Sequence, residues 1–310
     1  MGLLSGSVSL TRWNVVSRPD VPDFEQEAFR EIPPGSELRE AVGFVPFEPE
    51  APYQVGEHRF AFRVRFDKLQ ADKAAVEERL KQLIHSEIET TGAAFVGPKK
   101  RKKLRQLAED ELIGQAAPRT KIIEGCVDGD VVYLASTSED RLGRVVALLR
   151  KIGVMAEAKT PWIDRQEPDF DCELVEISGP GQSALGCRFL RELVGDGEIF
   201  YEPEAGSVKL KTHDTLVSLS GAVLKDVLRY LERGAEILNA KLLTPEGTFR
   251  LDGLTFRISG LKIETGRHEH WTMHLDERLE KISAVWDRLD RRFGELAPRL
   301  RQKTTARPAA

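Results

Sequence analysis

Between residues 58 and 66 the chain alternates strictly, Phe60, Phe62, Val64 and Phe66 falling between Arg59, Ala61, Arg63 and Arg65. A period of two predicts a strand with one buried face. The period then switches to that of a helix. Val76, Leu80, Leu83, Ile84 and Ile88 predict a helix over 69–89, and a loop follows at 91–97. Pro98 sits where a first helical residue belongs and opens a second helix over 99–115, with Leu104, Leu107, Ala108 and Leu112 on one side. Strands return at 121–127 and 130–137, joined through Asp128-Gly129, a strong hairpin signal. Two helices of about 20 residues each reach ~30 Å, so a chain patterned in this way must send out an antiparallel helical arm from the sheet that holds its ends.

The remaining pattern mixes strands and helices without a regular strand–helix alternation, which predicts an α+β fold. Strands are expected at 7–16, near 43–47 as an edge piece interrupted by Pro46, at 155–162, 198–201, 207–219, 235–243, 248–251 and 255–263. Helices are expected at 23–32, 138–152, 183–194, 222–233 and 276–292, the last with Leu279, Ile282, Trp286, Leu289 and Phe293 on one face. An acid-, Pro- and Gly-rich stretch at 164–181 reads as a domain boundary, and 302–310 as a disordered tail.

Charge separates the function classes better than composition does. The chain carries 46 Lys and Arg against 50 Asp and Glu, a net charge of −4. Lys99-Lys100-Arg101-Lys102-Lys103-Leu104-Arg105 holds six cations, so the remainder is −4 − 6 = −10. A cationic patch on an anionic body suits a protein that touches a polyanion at one place and is repelled elsewhere. The start, Met1-Gly2-Leu3-Leu4-Ser5-Gly6, lacks the basic and long apolar regions of a secretory leader, and no apolar run reaches the ~18 residues of a membrane span. Cys126, Cys172 and Cys187 are too widely spaced for a disulfide framework or a metal knuckle and read as reduced thiols in a cytoplasmic protein.

Six cations in the first two turns of a helix repel one another and oppose the macrodipole. The plain alternative is a solvated face. Two features favour phosphate binding instead. The helix is segregated, basic first and then Glu109, Asp110 and Glu111, and Arg119 and Lys121 add cations where the arm returns to the sheet. Such contacts position a protein on a duplex without reading sequence. Phe95 is the one aromatic near the run, too sparse a set for single-strand stacking. Two weaker patterns remain. His268-x-His270-x3-His274 invites a metal, but it has no acidic or Cys partner at a known spacing and reads as three exposed histidines in a loop before the last helix. Glu157-Ala158-Lys159 has the form of a nuclease strand, with Asp128, Asp130 or Asp140 upstream as a further metal ligand, although a three-residue match arises readily by chance in a chain that is 31% charged. No phosphate loop is present, so no nucleotide cofactor is expected.

Several stretches together resemble the recombination-associated protein RdgC family. They are Gly2-Leu3-Leu4 with Arg12, Gly43-Phe44-Val45-Pro46, the helix bearing Glu87, the basic run, Ala117-Pro118-Arg119, and Leu148-Leu149-Arg150-Lys151 followed by Pro161-Trp162-Ile163. The resemblance is tightest over 60–162, with weaker echoes through Gly234 and 254–263. It implies a horseshoe-shaped α+β subunit: a mixed or antiparallel sheet centre (1–67 and 120–165), a helical-hairpin tip (68–119), an α+β base (166–265) and a C-terminal helix (266–301). Two subunits would meet at both ends as a ring whose positive hole admits duplex DNA. It further implies sequence-indifferent DNA binding, nucleoid association and restraint of RecA-type recombinase, with Lys99, Lys100, Arg101, Lys102, Lys103, Arg105, Arg119 and Lys121 as the DNA-binding set. The exonuclease label sometimes attached to the family rests on no motif here beyond Glu157 and Lys159. Lys121 stands where the family can carry an aromatic finger, two residues after the Pro-Arg pair.

Overall fold

The alternation around Phe62 and the helical pattern after it are both realised in the computed structural model, which describes residues 2–33, 36, 38–114, 116–162, 174–179 and 181–300. The fold is mixed α+β, with six α-helices among the described residues and strands paired antiparallel. No described helix is long and apolar enough to cross a membrane. The chain divides into two compact units, one of residues 1–22, 54–61 and 124–310, the other of 23–53 and 62–123.

In the first unit β1 (Val8–Ser17) is central. One edge pairs with β6 (Val131–Leu134) and the other with β13 (Ile258–Lys262) and then β7 (Met155–Ala158). From β13 the sheet continues through β12 (Gly247–Asp252), β11 (Glu236–Thr244) and β9 (Gly206–Lys211) to β10 (Leu216–Gly221), with β8 (Phe200–Tyr201) also on β11. The stretch 207–219 is thus two strands, because Thr212 and Thr215 close a turn on each other through backbone and hydroxyl hydrogen bonds. The Asp128–Val131 hairpin forms as expected, Gly129 taking the left-handed φ of 57° that its turn requires. Helices α3 (Glu139–Lys151), α4 (Leu185–Glu192) and α5 (Leu224–Glu232) lie within one or two residues of their predicted ends.

The C-terminal helix α6 runs from Trp271 to Leu300, one turn or more beyond the predicted helix at each end. Its buried stripe continues past both predicted ends, from Leu275 to Leu296 and Leu300. Phe293 touches Trp162, Phe189 and Phe256 at ring-centroid distances of 5.9, 5.4 and 6.0 Å, and Trp286 joins through Phe256. Arg12 on β1 lies 4.4 Å from the Trp286 ring centroid and forks onto the Asp290 carboxylate. This arginine, part of the family resemblance, is therefore a buried strut. Cys126 and Cys187 are buried and form no disulfide among the described residues, while Cys172 and most of the expected boundary at 164–181 lie outside the described residues, as does the tail 302–310.

The strand β4 (Arg59–Leu69) begins in the first unit, where it pairs with the short β3 (Gln54–Gly56), and in the second unit it pairs with the edge strand β2 (Glu40–Val45). The third strand of the second unit, β5 (Pro118–Asp128), starts here and ends in the first unit. The helix expected at 23–32 is a single 3-10 turn, Phe24–Glu27. Two contacts stop it: Phe24 packs among Phe44, Tyr53 and Phe62, and the Phe29 amide donates to the Phe44 carbonyl, which draws the chain alongside β2. Helices α1 (Lys73–Thr91) and α2 (Pro98–Ile113) form the hairpin. The first starts later than predicted because Leu69 still belongs to β4 and Asp72 caps the amides of Ala74 and Ala75.

Candidate nucleic-acid interface

The hairpin is held by a narrow apolar seam and by charge. Val76 and Leu80 of α1 and Leu104 and Ala108 of α2 are buried, whereas Leu107, expected on the same stripe, is 47% exposed. A two-helix hairpin cannot cover a third apolar row. Across the seam Lys100 pairs with Glu87 at 3.1 Å, Arg105 with Glu77 at 2.5 Å, and Arg79 with Glu111 at 2.7 Å. The hydrogen bond from Arg79 holds the Glu111 carboxyl below the usual carboxylate range.

These pairs divide the basic run into two sets. Lys100 and Arg105 are turned to the acids of α1 and brace the hairpin. Lys99, Arg101, Lys102 and Lys103 are exposed and form no ion pair among the described residues. All four lie within six residues of Gly97, the N-cap, which offers no side-chain hydrogen bond, and the first turn holds no acidic residue. The helix therefore presents its positive end and four ammonium or guanidinium groups together, an arrangement that favours anions and repels cations. Phe95, on the loop before this turn, is 75% exposed.

Arg119 and Lys121 are exposed two residues apart on β5 and share one face of that strand. Between them Thr120 turns the other way and donates to the Asp67 carboxylate at 2.7 Å. Arg65 and Thr120 together hold Asp67 below the ordinary carboxylate range, against the opposing effect of its burial. The strand start that carries Arg119 and Lys121 is in this way pinned to β4.

The other sequence candidates separate. Glu157 is exposed on β7, with Lys159 just past the strand end, but Asp128 is held at 3.0 Å by Arg59. Among the described residues Glu157 belongs to no group of three potential metal ligands. The three histidines do not share one loop: α6 begins at Trp271, so His274 lies in its first turns while His268 and His270 precede it. Sequence reasoning missed Glu77 and Glu87 as partners of the basic run. Their offset from Arg105 and Lys100 becomes visible once the two helices are laid antiparallel. It also missed Glu277, three residues after His274, because the predicted helix began too late to put the two on one turn.

Neither a protein-family model nor a curated protein matches this chain.

Proposed function

We propose that the chain binds duplex DNA without sequence preference, gripping the phosphodiester backbone with the N-terminal turns of α2, assisted by Arg119 and Lys121. The observation that carries this reading is the set of four exposed cations, Lys99, Arg101, Lys102 and Lys103, left without carboxylate partners among the described residues beside an uncapped helix N-terminus. Solvated basic residues on a chain of net charge −4 have abundant acids to pair with, and Lys100 and Arg105 do pair. Four that do not, gathered in the first two turns of α2, suit an anion supplied from outside. Lys and Arg contacts to phosphate bind every sequence alike. The sparse aromatic content nearby favours a duplex over a stacked single strand. In line with the resemblance to the RdgC family, the protein acts as a homodimer that restrains recombinase on DNA in the nucleoid.

Fluorescence anisotropy with two unrelated duplexes of equal length and end structure tests the reading. Dissociation constants within about twofold of each other are expected at a single salt concentration. A difference of tenfold, ~1.4 kcal/mol, is the size of one good base contact and would overturn it.

A further inference from the structure

We propose that His268, His274 and Glu277 form a binding site for one divalent transition-metal ion, with Zn²⁺ the best match to its donors. The site lies in the first unit and is independent of the basic hairpin.

The local fold builds it. Once α6 starts at Trp271, His274 and Glu277 are three residues apart on one helical face. The preceding loop is tied back over that face: the Gly266 amide donates to Glu277 Oε2 at 3.0 Å, and Lys281, one turn further along, donates to the Glu264 carbonyl. This brings His268 Nε2 to 2.6 Å from Glu277 Oε2, and its ring to 5.8 Å from that of His274. One donor atom from each of the three residues lies within 4.8 Å of the other two. A tetrahedral ion with bonds of about 2.0–2.2 Å needs donors roughly 3.4 Å apart. His268 and Glu277 must therefore separate by somewhat under 1 Å, exchanging a shared proton for a shared ion. Side-chain rotation suffices for that, since the two are 23% and 25% exposed.

Ligand chemistry selects the ion. Two imidazoles and a carboxylate suit Zn²⁺ and its neighbours, whereas Mg²⁺ and Ca²⁺ prefer all-oxygen shells. Lys281 holds the second oxygen, Glu277 Oε1, at 2.8 Å. It fixes the carboxylate in the manner of an outer-shell partner, while its charge weakens the site. Three protein donors with partial exposure leave a fourth position for water. The adjacent His268-x-His270 pair, the more obvious chelate in the sequence, is not what the fold assembles: His270 stands outside the group.

The test uses the untagged full chain, stripped with chelator and titrated with Zn²⁺ by calorimetry, with Co²⁺ absorption as a report on geometry. One equivalent of Zn²⁺ per chain is expected, with a melting temperature that rises with Zn²⁺ concentration and the intense visible bands of four-coordinate Co²⁺. His268→Ala and His274→Ala should each weaken binding at least 100-fold while leaving the circular dichroism spectrum unchanged, and His270→Ala should bind within twofold of the parent. Absence of stoichiometric uptake by the parent chain overturns the proposal. So does parental affinity in His274→Ala, or an equal loss in His270→Ala.

Discussion

Replacing Lys99, Lys102 and Lys103 together by Glu should weaken duplex binding by roughly 10²–10³-fold near 0.1 M salt. In that range each phosphate contact contributes close to one decade through counterion release. Three lost contacts by themselves account for the upper part of that range, and repulsion from three new carboxylates acts in the same direction. The same substitution should leave the fold intact or firmer. None of the three lysines has a carboxylate partner among the described residues, and all stand in the first turns of α2, where negative charge complements the helix dipole by ~0.3–1 kcal/mol per residue. Anisotropy titration and a thermal melt on one preparation check both halves. Reduced DNA binding with an undiminished melting temperature is the expected pairing. A variant that binds as tightly as the parent would remove the hairpin from the interface.

Phe293→Ala should destabilise the first unit by about 3–5 kcal/mol, the usual cost of truncating a fully enclosed aromatic. The ring is 0% exposed and meets Trp162, Phe189 and Phe256 from three directions. Those neighbours are fixed by different elements: Phe189 by α4, Trp162 by the segment after β7, and Phe256 by a turn that holds it at a φ of 54°. Collapse into the cavity would require all three to move, which places the expected loss at the upper end. At ~2–4 °C per kcal/mol for a unit of this size, the melting temperature should fall by roughly 10 °C. A fall below 3 °C would mean that α6 is not a principal wall of this core.

Much of this fold was legible because its signals are local. The Phe60–Phe66 alternation, Pro98 at a helix start and Asp128-Gly129 at a hairpin each act within a few residues, and each is realised. The failures share a cause in contacts distant in sequence. The 23–32 segment has helical composition, yet Phe24 is claimed by Phe44 and Phe62, and Phe29 by the Phe44 carbonyl. Helix α6 outran its prediction because Leu275 and Leu300 are buried at its two ends and the helix packs against α4, a partner that no window of α6 alone contains. The site divides in the same way. That the run from Lys99 to Arg105 is cationic and faces solvent is written in its spacing. That Lys100 and Arg105 are committed to Glu87 and Glu77, leaving four cations free, depends on the register of two helices. The histidine cluster was hidden by a boundary error of five residues, which separated His274 from Glu277.

The central claim, that this protein holds DNA by its phosphates, is tested most directly by the salt dependence of duplex affinity. If each chain of a dimer supplies ~4 phosphate contacts, a plot of log K against log salt concentration should be linear with a slope of about −7. The Glu-substituted variant should give a markedly shallower line. A slope near zero for the parent protein, with affinity undiminished as salt rises, would contradict the account.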